Sequence, residues 1–354
     1  MAKRMLRGAV TGGVSLVCFL VLKESEAVAE GIRRGLSLCA ESVIPSLFLF
    51  MILAEFLASA DISPALFWPV RLVCRLFRLP DETAPVIAVS MTGGYPAGAK
   101  MVGDLVRRGR LGRLTGEKIL CSCVCCSPAF LTGAVGAGLL GDVRIGFLMT
   151  GCQLAATVCT GIAAGFLMPS DNAEGDLWAG ESDYAACFVR SVTGAGKAVL
   201  TVSLFVTVFS TAQMLLRPLP GWEVMSGLLE VSVGCDSLRG EPFRKALILS
   251  TVYTSFGGGC VWLQLYCFLG ESGVRMRKFL PFRMLHCFLS LFFTLTAVKY
   301  LRLDEAVFST FTEPLVSNGS SSVTAAACLV MLCLMFLMTL PGRRKSCTSG
   351  GGVV

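Results

Sequence analysis

The sequence predicts an all-α polytopic membrane protein made of two repeats, expected to be inverted, each with a glycine-interrupted helix that can be re-entrant. Three observations lead there. Of 354 residues, 54% are hydrophobic and 16% charged, with a mean hydropathy of +0.71, more apolar surface than a soluble domain carries. Several windows of about 18 to 25 residues hold few or no charges, enough at about 1.5 Å per residue to cross about 30 Å of hydrocarbon. Apolar runs in both halves are interrupted by paired glycines, Gly93-Gly94 and Gly257-Gly258.

In chain order, basic Met1 to Arg7, apolar Gly8 to Leu22 and Ala27-Val28-Ala29 have the layout of a secretory signal. The charged stretch Lys23-Glu24-Ser25-Glu26 lies where cleavage would occur, so a retained first membrane helix is favoured. With the polar helical stretch Glu24 to Arg34, expected at an interface, it forms an N-terminal unit over 1–35. The first membrane repeat, 36–168, begins with a span at about 36–60 holding Pro45. Pro64 to Leu79 carries Arg71, Arg75 and Arg78 at spacings of four and three, one side of a short interfacial helix. The next apolar run breaks at Thr92-Gly93-Gly94-Tyr95-Pro96-Ala97-Gly98-Ala99-Lys100, too early to cross. Backbone freed by such a break is tolerated only inside protein or beside water, so breaks mark binding sites. After the basic loop Arg107 to Lys118 come a cysteine- and glycine-rich segment at about 119–140 and a span at about 144–168.

Residues 169–190 form an acidic linker with Asp171, Asn172, Glu174, Asp176, Glu181 and Asp183, read as the joint between halves. The second repeat, 191–300, holds a span at about 192–216, a short segment at about 223–235, a broken segment at Ser255-Phe256-Gly257-Gly258-Gly259-Cys260 and a span at about 279–298. A last span at about 323–341 and a basic tail make up 301–354. Ser46-Leu47-Phe48 is echoed by Ser203-Leu204-Phe205, and the glycine breaks follow 47 and 54 residues later. Paired interruptions in two halves point to a secondary transporter.

The net charge of +7 sits in short clusters between apolar segments, among them Lys3, Arg4 and Arg7, the arginines at 107–113, and Arg343, Arg344 and Lys345. That pattern fits cytoplasmic loops and two cytoplasmic chain ends, and argues against nucleic acid as a partner. The 17 cysteines lie mostly in apolar runs and are expected to be free thiols. The cluster Cys121, Cys123, Cys125 and Cys126 lacks the separated pairs of a zinc site, so no metal and no cofactor are expected. His286 is the one histidine, which leaves no Ser/His/Asp triad with parts to spare, and Gly194-Ala195-Gly196-Lys197 followed by Ala198 is no P-loop. An enzyme is not expected.

Candidate solute-binding residues follow from the breaks. Gly93, Gly94, Gly257 and Gly258 expose N–H groups and half-helix ends to an anion, or else let helices pack closely. Lys100 offers a cation to a carboxylate, with Asp104 one turn on as its resting partner; the alternative is a lysine snorkelling to an interface. Glu230 in an apolar segment implies ion coupling, a cation partner or a watery cavity, and Gln264 is a weaker case.

Pro45-Ser46-Leu47-Phe48, Gly94-Tyr95-Pro96-Ala97-Gly98-Ala99-Lys100 and Ser127-Pro128-Ala129-Phe130 before Gly133-Ala134-Val135-Gly136 resemble, in that order, the YlbJ family of sporulation integral membrane proteins. Leu229-Glu230-Val231, Ser255-Phe256-Gly257-Gly258 and Val261-Trp262-Leu263-Gln264 continue the resemblance, which spans about Glu24 to Phe288. It implies the membrane domain called Gate or nucleoside-recognition, and a role in endospore formation, passing dipicolinic acid across the outer forespore membrane. It adds Tyr95, Pro96 and Ser127 to the candidate site. Where relatives carry asparagine before Ser-Pro, this chain reads Cys121-Ser122-Cys123-Val124-Cys125-Cys126, so contacts there are not carried over.

The expected function is therefore a transporter or channel for a small anionic solute, dipicolinate first, in the membrane of a spore-forming bacterium. A transporter of nucleosides or another small solute, and a non-transporting sporulation scaffold, are the alternatives. A homo-oligomer and other sporulation membrane proteins are possible partners besides the bilayer.

Overall fold

Pro45 shapes the first long helix. It has no N–H to give the carbonyl four residues back, and its ring crowds that turn. In the computed structural model, which describes residues 2–62, 64–171, 177, 180–218 and 221–300, the strain is taken up by a wider turn. Helix α2 (Ser25–Leu38) passes through a π-helical stretch, Cys39–Val43, into α3 (Ile44–Ser59), and the Ile44 N–H reaches back five residues to Cys39 O. The three pieces make one apolar helix, Ser25–Ser59. The polar stretch expected as a separate interfacial helix is thus its first turns, behind α1 (Ala2–Lys23). Gly31 and Gly35 seat it against Thr211 and Thr207, where a Cβ would fall 2.6 and 2.7 Å from backbone atoms.

Four further helical stretches are long and apolar enough to cross a membrane. They are α7 (Val143–Leu167), α8 (Tyr184–Leu216), the interrupted pair α11 (Phe243–Phe256) and α12 (Gly258–Leu269), and α13 (Phe279–Tyr300). Helix α8 starts inside the stretch read as linker because Asp183 caps it, accepting from Ala186 N at 3.0 Å. The described residues contain no β-sheet, only an isolated bridge between Ala60 and Glu181. The span at 323–341, the tail arginines, and Asn172, Glu174 and Asp176 lie outside the described residues.

The interfacial arginine helix is shorter than its spacing implies. A 3-10 stretch, Pro64–Val70, leads into α4 (Arg71–Leu76). Arg78 lies beyond its end with φ +51°, stacked over the Phe166 ring, while its carbonyl accepts from Lys118 Nζ at 2.9 Å. The basic loop after residue 107 has a structural use as well. Arg108 and Arg110 both donate to Ala58 O at 2.8 Å at the end of α3, and Arg107 reaches Phe268 O and Leu269 O at the end of α12. Cations at helix C-termini satisfy orphan carbonyls and oppose the helix dipole.

Two segments turn back inside the fold. In α5 (Ala84–Arg107) Gly94 has φ +82° and ψ −174°, and a Cβ on Gly98 would lie 2.9 Å from Ser90 Cβ. Residues eight apart on a straight helix are separated by about 12 Å, so the chain reverses at Gly94 and its two legs pack together. Neither leg approaches the length of about 20 residues that a crossing needs. In the second half, α9 (Trp222–Leu229) and α10 (Val231–Asp236) reverse at Glu230, with Gly227 and Gly234 in backbone contact. Each hairpin is followed by an interrupted helix. The first is α6 (Arg113–Cys123), non-helical residues 124–127 and the π-helical Phe130–Ala137; the second is α11, Gly257 and α12.

The order long helix, hairpin, interrupted helix, long helix therefore occurs in both halves. By that order Gly94 corresponds to Glu230, and residues 124–127 to Gly257. The spacing match of Gly93-Gly94 with Gly257-Gly258 is one element out of step.

Candidate functional site

The two hairpin tips and the 124–127 interruption meet. Gly94 lies against Ser127, so that a Cβ on it would sit 3.0 Å from both Ser127 N and Ser127 Cβ. Tyr95, next in the chain, points at the other interruption. Its hydroxyl donates to Thr254 O, and a Cβ on Gly257 would be 3.3 Å from its Cζ.

The break at Gly257 leaves the last carbonyls of α11 without partners in the helix. Side chains supply them. Tyr95 takes Thr254 O, Arg283 Nη1 donates to Ser255 O at 3.2 Å, and Trp262 Nε1 donates to Phe256 O at 3.3 Å. Arg283 also reaches Tyr95 Oη at 3.3 Å. A buried carbonyl left open costs about 1–3 kcal/mol, so these three groups together hold the break in shape. On the far side of the break, Gly258 opens α12 under the carbonyls of Gly227, Leu228 and Leu229, the negative end of α9 against the positive end of α12.

Between the tips lies a cavity of about 70 Å³. The first hairpin lines it with Gly94, Tyr95 and Pro96, the second with Glu230, Val231 and Ser232. Cys126, Ser127 and Phe130 come from the first interruption, Val261 and Gln264 from α12, and Ser46 and Val202 from the two long helices. Space of this size takes a few waters and falls well short of the roughly 300–1,000 Å³ of a ligand site. The tips are closed on one another.

Three helical starts face this cavity, at Tyr95, Ser127 and Glu230. Two are capped from within: Ser127 Oγ accepts from Phe130 N at 3.3 Å, and the Glu230 carboxylate accepts from Val233 N at 2.6 Å. Glu230 is 2% exposed, so a carboxylate in an apolar segment is explained first as a cap, and it remains part of the cavity wall. No lysine or arginine is among the lining residues.

Of the sequence-derived candidates, Gly94, Tyr95, Pro96, Ser127, Glu230 and Gln264 come together at the cavity. Gly93 packs behind the tip on Phe50. Lys100 is elsewhere, paired with Asp104 at 2.8 Å as its spacing implied and also with Glu55 of α3. Asp104 is shared with Arg107, which closes a cluster of two cations and two anions. Gly257 and Gly258 shape the second interruption without lining the cavity. The described members of the cysteine cluster are buried thiols, Cys126 at the cavity. Sequence reading missed Ser46 and Ser232 as lining residues, although Pro45 signalled a local irregularity. It also missed Arg283, whose signal was an arginine one turn inside an apolar span.

Comparison with known proteins gives one informative match. The chain is 24% identical over 311 residues to the sporulation integral membrane protein YlbJ of Bacillus subtilis (strain 168), covering 75% of this chain and 76% of that protein. The alignment supports a YlbJ-family assignment. No family model matches the chain, and no solved structure matches it. The relative's name and the chain's own apolar helices agree on an integral membrane protein. All three motifs that carried the resemblance in the first half reach the cavity, with Ser46 and Leu47, with Gly94-Tyr95-Pro96, and with Ser127 and Phe130.

Proposed function

We propose that this chain is a transporter or gated channel for a small solute, acting in spore formation, with dipicolinate crossing the outer forespore membrane as the first candidate. The observation that carries the reading is the meeting of two re-entrant tips and an interrupted helix around one cavity. Irregular backbone inside a membrane protein is tolerated where it lines a path or is buried in protein, and discontinuous helices are how transporters build solute sites. The B. subtilis relative's name supports the sporulation context.

An aromatic dicarboxylate exceeds the closed cavity, so passage requires the tips to separate. Helix starts at Tyr95 and Ser127 favour an anion, while Glu230 opposes one unless it is protonated or paired. That acidic wall and the absence of lining cations favour a second reading, in which the solute is a nucleoside or another neutral metabolite. Lys100, committed to Glu55 and Asp104, serves in either reading as the anchor of the first hairpin to α3.

Uptake of labelled dipicolinate and of labelled uridine into proteoliposomes, each with either unlabelled solute as competitor, decides between them. Saturable uptake displaced by dipicolinate alone supports the anion. Saturable uridine uptake that dipicolinate does not displace supports the neutral solute, and a folded protein that takes up neither substance contradicts both.

A further inference from the structure

A second polar feature lies behind the cavity wall, between α7 and α13. Arg283, His286, Ser290 and Thr294 are spaced by three, four and four residues, one face of α13. All are 0–1% exposed, and they extend over about 16 Å of helix. Facing them from α7 are Gln153 and Thr157, equally buried. Apolar contact would serve a plain helix interface in a membrane, and occasional serine or threonine hydroxyls bond back to their own helix. Here that bland pattern fails. Arg283 Nε, His286 Nδ1, Ser290 Oγ, Thr294 Oγ1 and Gln153 Oε1 all lack a partner. Five unmet polar atoms along one seam are a row of places for water, because buried polar groups are otherwise paired.

The hydrogen bonds point to one tautomer of the histidine. Thr157 Oγ1 donates to Gln153 O at 2.8 Å, so toward His286 it accepts, and the proton between them at 3.1 Å belongs to Nε2. The neutral ring then presents a bare, partnerless Nδ1 to the seam. Gln153 continues the line to α11, donating to Thr254 Oγ1 at 2.7 Å. Thr254 in turn is the residue whose carbonyl Tyr95 holds.

We propose that this seam is a hydrated proton pathway in which His286 is the titrating relay and Arg283 the link to the first hairpin. A proton delivered by water binds Nδ1; the proton on Nε2 leaves to water beside Thr157, and the ring returns by exchanging tautomers through the seam. The charged group acting on His286 is Arg283, one turn away on its own helix. From neighbouring elements the Gln153 and Ser255 backbone lies against its ring, with the Cys125 thiol beside Thr157 and, beyond Arg283, the Tyr95 phenol. No carboxylate stands among these neighbours to absorb an imidazolium charge. Repulsion therefore falls on Arg283, whose hold on Ser255 O and Tyr95 Oη keeps the hairpin tip in place. Proton occupancy and opening of the tip are linked through that one side chain.

The inference names the driving ion of the proposed transport and rests on that reading for its purpose, but the pathway is measurable without any solute. The full-length protein is reconstituted with a pH-sensitive dye inside the vesicles, and a potassium gradient with valinomycin draws protons inward. Proton entry faster than in protein-free vesicles is expected, cut at least tenfold in His286→Gln, which keeps a donor for Thr157 and cannot titrate. A second variant, Ser290→Ala with Thr294→Val, is expected to slow entry severalfold and carries the test if the first does not fold. Wild-type entry no faster than in empty vesicles, or entry undiminished in a folded variant, overturns the proposal. Dipicolinate uptake measured in the same vesicles reports on the solute path separately, so its loss with proton entry intact counts against that path alone.

Discussion

The two hairpins do the same thing by different chemistry. The first turns at Gly94 with φ +82°, a conformation that side chains resist, and its tip is fastened by Tyr95 to α11 and through Arg283 to α13. The second turns at Glu230 in extended backbone, φ −144°, and fastens itself, the carboxylate capping the helix that follows. The first tip is bonded by the side chains of its neighbours, whereas the turn of the second is bonded by its own side chain and its α9 carbonyls rest on the start of α12. A change in α11 or α13 therefore reaches the first tip directly, while the second responds to what happens at a single carboxylate.

The sharpest way to break this contrast is Gly94→Ala. A Cβ there meets Ser127 N at 3.0 Å in a strained region of backbone, a cost of about 1–3 kcal/mol. A clear fall in melting temperature and at least tenfold slower uptake are expected. An alanine variant as stable and active as the wild type would show that the reversal needs no glycine.

Next in size is Tyr95→Phe, which removes the donor to Thr254 O and one partner of Arg283. Leaving buried polar groups open costs about 1–3 kcal/mol, read as lost thermal stability. If the first tip borrows its stability as described, Arg283→Met in the same background adds less than it does alone, a non-additivity that a double-mutant cycle measures. Additive losses would separate the two residues. For the second tip, Glu230→Ala loses the cap, about 1 kcal/mol, whereas Glu230→Gln keeps an acceptor. Equal melting temperatures for the two variants would remove capping as the reason for the carboxylate.

The long helices and the existence of breaks were legible in the sequence, because apolar length and Gly/Pro interruptions are local signals. Whether a broken segment crosses or returns was not, since Ser90 meeting Gly98 is a matter of three dimensions. The pairing of Lys100 with Asp104 could be read from a spacing of four, but Glu55 lies 45 residues away on another helix. Glu230 looked like an ion site because an isolated carboxylate and a capping carboxylate are the same letter. Tyr95 and Arg283 are 188 residues apart, and only packing joins them.

The smallest expected effect lies outside the membrane, where the start of the linker is tied to α6. Asp171 accepts from Thr115 N at 2.8 Å, and its carbonyl takes the Thr115 hydroxyl. Burial alone would raise the Asp171 carboxyl, but hydrogen bonds from Thr115 and Leu114 outweigh it and hold it below its ordinary value. Its folded value being depressed, the contribution to stability is complete above the ordinary carboxylate value and is lost as pH falls through the lowered one. Melting temperature should therefore drop on acidification below about pH 4, and less so in Asp171→Asn. Identical pH dependence in the two proteins would show that the tie contributes nothing.

The central claim is that solute passes through the cavity between the tips. Ser46, half-buried at its edge on α3 and bonded only to Val43 O at 3.1 Å, is the mildest place to fill it. Dipicolinate uptake by wild type and by Ser46→Phe, compared in proteoliposomes at matched melting temperature, tests the claim directly. Saturable wild-type uptake reduced at least tenfold by the phenylalanine is the predicted result; uptake that a folded Ser46→Phe protein carries at the wild-type rate would contradict it.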